Sequence, residues 1–579
     1  MSRSHSLSVF LVGLLAAAAV VVPSGAAASE RVHALDGSEL RAWDEFFLMR
    51  SKPIEFQRGL GHVGMRVSTS SDLAQSWFDQ GLALLFGYAH EDAIYSFRRA
   101  LDADPKLAMA WWGIAWAYGK NINLDASRER AERALEAIER AKALLRDRPA
   151  SAREEAYIRA LDGRYQKNFQ PIGTEDRRDL DIAFFDRMKL LYRGDPSDVN
   201  AAAFAAEAGL GLSPWNQWGP DGKPRPNTLL IVGILKDALE RDRHHIGAQH
   251  FLIHALEASP DPDQAALAAW RLKSDAFGQP HLVHMPSHIY LRDGDWGAAM
   301  VSGEDAERGD VLYRRQNGTN NLFVLSYGGH NIHVQAFAAS MAGRERVAIA
   351  NARHLRVRVA PYPENLLGRE HFQFYEILMR TRFGQWQRVL DMPPPPAILL
   401  GARAMRHYAR GVAFAKLGDL GRAEDEHRDL IELRRRIGGP RSGYPEFALN
   451  AAPSVLDVAI AVLEARLAWA RGDREAAVRR LRDAVQLQDG LRYDEPPTWY
   501  FPTGEALGAA LVKLGRDREA EEAFRATLRR FPGDGWALFG LAEALRGQGA
   551  AARAIASAER RFSRAWRWAD RPLTLDDLL

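Results

Sequence analysis

Counting from Ala74 as the first position, six residues fall where a pair of packed helices needs them. Trp77, Gly81, Ala93, Phe97, Ala100 and Pro105 stand at positions 4, 8, 20, 24, 27 and 32. The small residues Gly81, Ala93 and Ala100 let two antiparallel helices approach, Phe97 fills the gap between them, and Pro105 stops the second helix. A second unit opens with Trp111, Ile114, Ala115 and Tyr118 at positions 4, 7, 8 and 11. It then departs through Asn121-Ile122-Asn123 into a long charged helix expected over 127–145. A chain of 579 residues exceeds one compact core, so units of this kind imply an elongated array or several domains.

The periodicity continues as helices over 179–192 and 199–210, and then breaks. Residues 213–228, SPWNQWGPDGKPRPNT, carry too many prolines for a helix and too many residues for a short connection. That run is either a packed surface loop or a lid or partner-contact segment. Helices are expected next at 229–241, 247–258, 262–275, 281–292, 295–308, 329–342, 344–355, 371–383 and 386–390. Pro393 to Pro396 divides a helical array over 74–392 from a second over 397–579, which holds helix pairs at 402–436, 455–485 and 503–545. Residues 29–73, with Trp43, Phe46 and Phe47 in a helix, form a lead-in. No strand is expected.

The spacing at 74–118, and again at 503–545, resembles the tetratricopeptide repeat family. That resemblance implies an all-α superhelical array of antiparallel helix pairs, whose first helices line a groove that takes proteins or peptides. HFLIHALEASPDP (250–262), HLVHMPSHIYLRDGDW (281–296) and YDEPPTWYFP (493–502) resemble, more narrowly, a group of exported bacterial tetratricopeptide repeat proteins of no established activity.

Residues 1–28 read as a signal peptide: Arg3, an apolar run from Leu7 to Val22, then Ala26-Ala27-Ala28 before Ser29. The expected location is the periplasm or the exterior, with no spanning segment after cleavage. Lys and Arg total 77 against 74 Asp and Glu, and no basic block with interleaved aromatics occurs, so a nucleic-acid partner has no electrostatic footprint. The absence of cysteine excludes disulfides and thiolate ligands, leaving histidine and oxygen for any metal.

Histidine is where the sequence points to chemistry. Nine of 17 histidines lie within residues 244–333, several times what uniform scatter would put there. His250 and His254 are four apart with Glu257 three further on. His281, His284 and His288 share a face, and His330 and His333 are three apart. If the three sets lie on first helices of adjacent repeats, they converge on one centre, and a metal site needs such donors within about 2 Å of an ion. The candidate ligands are therefore His250, His254, His281, His284, His288, His330, His333 and Glu257, with copper, zinc or iron as the ion. Glu257 is either a ligand or a general base. Phe251 stands where HExxH has its glutamate, which disfavours a zincin-type protease. Pro286 removes a backbone donor inside the triple-histidine stretch and favours His284 and His288 over His281. His90 and His371 are secondary candidates, with capping or packing the plainer role. Three functions remain open: a binding module with a metal in its groove, a copper or non-haem iron oxidoreductase, and a protein-interaction scaffold whose histidines are structural.

Overall fold

The ring of Phe97 sets the geometry of the first unit. In the computed structural model, which describes residues 53–124, 127–147, 150–166, 175–317, 322–360, 369–439 and 444–579, helices Asp72–Phe86 and His90–Ala103 form a hairpin around it. A Cβ on Gly81 would lie 2.6 Å from that ring, and one on Gly113, in the next helix Ala108–Tyr118, 2.5 Å from it. Both positions must be bare for the ring to sit between the helices. The same device recurs far along the chain, where Phe524 is enclosed by Gly508 and Gly540 at the same spacing.

Helix pairs of this kind succeed one another, and among the described residues there is no strand, only isolated bridges at Trp218–Pro224 and Phe447–Asn450. The expected all-α array is the fold. Helix Ala152–Asp162, closed by a capping box between Ser151 and Glu154, and helix Ala552–Ala565 were not legible as periodic units. The helix expected at 262–275 begins as a 3-10 turn, Pro262–Ala265, before Ala266–Asp275. Pro286 divides the triple-histidine stretch into Pro280–His284 and Pro286–Asp293, with Met285 still in the right-handed helical region, so the two pieces keep a nearly common axis. The leader and the helix with Trp43, Phe46 and Phe47 lie outside the described residues.

Two hydrophobic cores result. One gathers residues from Ile54 to Ile289 with Tyr313, and the other runs from Leu291 to Leu579 and includes side chains on both sides of Pro393–Pro396, such as Val389 and Leu399. The array coils back on itself. Helix Ile246–Leu256 returns to the first helix, with Gly247 against the Phe86 ring. Trp296 Nε1 donates to the Gly533 carbonyl at 2.7 Å, and the Asp570 amide donates to the Gly343 carbonyl at 3.0 Å. The histidines lie where the two cores meet.

Candidate metal centre

Each histidine set is delivered by a different helix. His250 and His254 stand on Ile246–Leu256, His281, His284 and His288 on the pieces either side of Pro286, and His330 and His333 on Leu322–Met341. Ring centroids are 4.8 Å apart for His250 and His254, 5.6 Å for His254 and His288, 4.9 Å for His284 and His288, and 4.5 Å for His284 and His330. The faces therefore converge.

Three donor groups emerge among the described residues, the third, His254, Glu257 and His288, linking the other two. In the first, His284 Nε2 and His288 Nε2 are 3.0 Å apart, Glu495 Oε2 lies 3.2 Å from His288 Nε2 and 3.2 Å from His330 Nε2, and it is 3.8 Å from His284 Nε2. Donor atoms about 2.0–2.1 Å from a tetrahedral ion lie about 3.3–3.4 Å from each other, so these spacings are close to the edges of such a site. The second comprises His250, His254 and His281, with His250 Nε2 3.2 Å from His281 Nε2. All ligand atoms within each group lie within 4.8 Å of one another.

The outer partners turn the lone pairs inward. His250 Nδ1 donates to the Phe86 carbonyl at 2.7 Å, so its Nε2 is the acceptor facing the group. Glu257 accepts from two rings, His254 Nδ1 at 3.0 Å on Oε1 and His288 Nδ1 on Oε2. Both of its oxygens are thus taken by histidine Nδ1 atoms that point away from the first group's donors. His254 Nε2 has no protein partner and is buried.

Burial sets the charge states. It holds His284 well below the usual imidazole range, reinforced by the charges of His330 and His288, and it holds His250, His254 and His281 down as well. His288 is the exception. Burial lowers it, but Glu495 and Glu257 on either side outweigh that and raise it to about 8. Burial pushes Glu257 up, but its two imidazole neighbours hold it at about 2. At neutral pH most of the imidazoles are neutral, the form that ligates metal.

A cavity of about 190 Å³ opens beside the groups, lined by Tyr88, Trp215, Tyr327, His333, His371 and Glu495 among others. Three of the four non-glycine residues with positive φ among the described residues line it: Tyr88 at 58°, Trp215 at 56° and Ala448 at 51°. Strained backbone of this kind concentrates at functional sites. Trp215 brings residues 213–228 into the site, its ring 5.4 Å from His254, while Trp218 Nε1 anchors that run on the Ala255 carbonyl at 2.8 Å.

His333 stands apart from the three groups. Its ring pairs with His371, centroids 4.9 Å apart, and with Tyr375 at 4.3 Å, while still lining the cavity. His90 also lines the cavity, with Asn121 Nδ2 3.5 Å from its Nε2. Glu495 is the donor that sequence reasoning missed. It lies in YDEPPTWYFP, whose signal was an acidic pair within a proline- and aromatic-rich loop, but nothing local ties it to histidines more than 160 residues earlier.

Fold and site together describe an all-α helical-repeat scaffold with buried histidine and glutamate groups able to hold a metal ion. A tetratricopeptide repeat family model matches residues 504–544. No curated protein matches the chain. Among solved structures it is similar to the human IFIT1 dimer with m7Gppp-AAAA, at 12% identity and a TM-score of 0.33 over 87% of this chain and 92% of that one. It is also similar to the APC/C hetero-tetramer Cut9-Hcn1, at 12% identity and a TM-score of 0.27 over 87% of this chain and 95% of that one. Among the described residues no helix is long and apolar enough to cross a membrane.

Proposed function

We propose that the protein is an exported metal-binding scaffold of the tetratricopeptide repeat type. One ion is held by His284, His288, His330 and Glu495, and a second by His250, His254 and His281, with Glu257 orienting a ligand of each. The observation that carries this reading is the first donor group, three imidazole nitrogens and a carboxylate oxygen spaced like the edges of a tetrahedral site in a buried seam. Imidazole and carboxylate without thiolate suit copper, zinc or iron. Export rests on the leader sequence alone. The test is elemental analysis of protein made in its export compartment. About two equivalents per chain are expected, falling to about one in His284→Ala. Less than about a tenth of an equivalent, with no uptake on titration, would leave a scaffold with structural histidines.

A second reading, a copper or non-haem iron oxidoreductase, is favoured by the cavity. Its aromatic wall and the buried Tyr88 hydroxyl suit a small substrate beside the ions. Oxygen consumption by the metal-loaded protein, abolished in His284→Ala, supports that reading, and its absence with any of the three metals counts against it.

A further inference from the structure

A second cavity, of about 230 Å³, lies in the other half of the molecule, away from the histidines. Its wall carries four cations beside the carboxylates of Asp576 and Asp577. Arg382, Lys416 and Arg466 reach it from helices Arg369–Arg382, Leu400–Lys416 and Ala452–Ala470, and Arg571 from the chain near its far end. Two of these charges are neutralised in place, Arg382 by a two-pronged contact with Glu505 and Arg571 by Asp577. The other two are not. Among the described residues neither Lys416 nor Arg466 makes a salt bridge: Asp576, whose charge reaches Lys416, has one oxygen on Lys513 at 2.7 Å.

Their remaining contacts are weak. Lys416 Nζ donates to the Asp576 carbonyl at 3.0 Å and Arg466 Nη2 to the Leu578 carbonyl at 3.2 Å, while Arg466 Nε and Nη1 are buried with no acceptor. A half-buried cation without a salt bridge is poorly served by main-chain carbonyls alone. Burial, and then the charge of Arg466, brings the Lys416 ammonium down to about 7. The adjoining hydroxyls of Tyr408 and Tyr500, 2.9 Å apart, bond to each other and leave one O–H to donate at the same wall. Two cations, free guanidinium N–H groups and one phenolic donor around one cavity match an oxyanion in charge and in hydrogen bonding.

We infer that this cavity is a binding site for a small oxyanion, a phosphate or a carboxylate, held between Lys416 and Arg466. The site is independent of the metal reading.

The experiment titrates the full, metal-free chain with inorganic phosphate and, in a separate arm, with acetate. Chloride holds the ionic strength constant, and binding is read by calorimetry and by the shift in melting temperature. Saturable binding of one anion per chain is expected, weakened about tenfold or more in Arg466→Gln and in Lys416→Met. The arm that saturates at the lower concentration identifies phosphate or carboxylate as the ligand chemistry. Far-ultraviolet circular dichroism and a cooperative melting transition show that each variant is folded, and either variant suffices. No saturable binding of either anion, or binding undiminished in a folded variant, overturns the inference.

Discussion

At the scale of single residues, the decisive group is Glu257. The sequence places it one turn beyond His254, where it reads equally as ligand or as base. The structure spends both of its oxygens on imidazole N–H groups, one from each of the first two donor groups. Its effect on metal binding is then indirect, through ring orientation and ligand basicity. Glu257→Gln keeps the volume but offers an amide N–H to one of two imidazole donors. Metal affinity should fall about 10- to 100-fold with the stoichiometry unchanged, as measured by competition against a chelator of known affinity. Unchanged affinity would return Glu257 to a purely structural role. Glu495→Gln, by contrast, removes an anionic donor from one group only and should lower the content by about one equivalent in elemental analysis. The histidines were legible because helical spacing of three and four residues is local. Glu495 was not, because it arrives on an irregular loop whose position depends on coiling of the whole array.

At the scale of elements, the aromatic-between-glycines device predicts stability directly. A Cβ at Gly508 would lie 2.5 Å from the Phe524 ring, and one at Gly540 2.1 Å from it, with fully buried Phe524 unable to move aside. Gly508→Ala should therefore destabilise the protein by about 1–3 kcal/mol, seen as a lower midpoint in denaturant with the slope unchanged. The opposite outcome, a gain from reduced chain entropy, would show that the ring has room. Most helix pairs were legible from apolar spacing and from the proline and glycine between them. Ala152–Asp162 and Ala552–Ala565 were not, because charged residues cover much of each helix, and in the second only Ala558 is buried. The division at Pro286 follows from the missing N–H. That the axis nearly continues is a matter of packing, since helix Trp296–Asn317 spans both pieces.

At the scale of the molecule, buried histidine should make the metal-free protein sensitive to acid. Burial lowers His90 and His371 to about 3, and His245 to about 4. A group whose folded value lies below its unfolded value of about 6.5 is protonated first in the unfolded chain, so the stability it contributes is present above pH 6.5 and is lost as pH falls towards 3–4. Three such groups give on the order of 4 kcal/mol per pH unit. Glu207, Asp310 and Asp293, pushed up to about 7 by burial, and Asp494, pushed up to about 6, act in the opposite sense down to about pH 4.5 and then stop. The loss should accordingly steepen below about pH 4.5, which melting temperatures at a series of pH values would check; a melting temperature flat from pH 7 to 4 would contradict it. Metal removal acts on the same seam. Because the donors of the first group come from both sides of it, chelation should lower the melting temperature and broaden unfolding into two steps, one for each core.

What the sequence determined by itself is what depends on neighbours along the chain. Helices follow from apolar spacing, hairpin packing from glycine and aromatic positions, and histidines share a face when they are three or four apart. The tertiary structure decided everything that needs the superhelix to come round. It brought helix Ile246–Leu256 back onto Phe86, so that a main-chain carbonyl fixes His250. It carried Glu495 to three histidines and left His333 to His371. It also brought Lys416 and Arg466 to one cavity beside Arg571 and Leu579. The reason is physical: each repeat adds a small rotation, and only their sum over many units settles which distant groups meet.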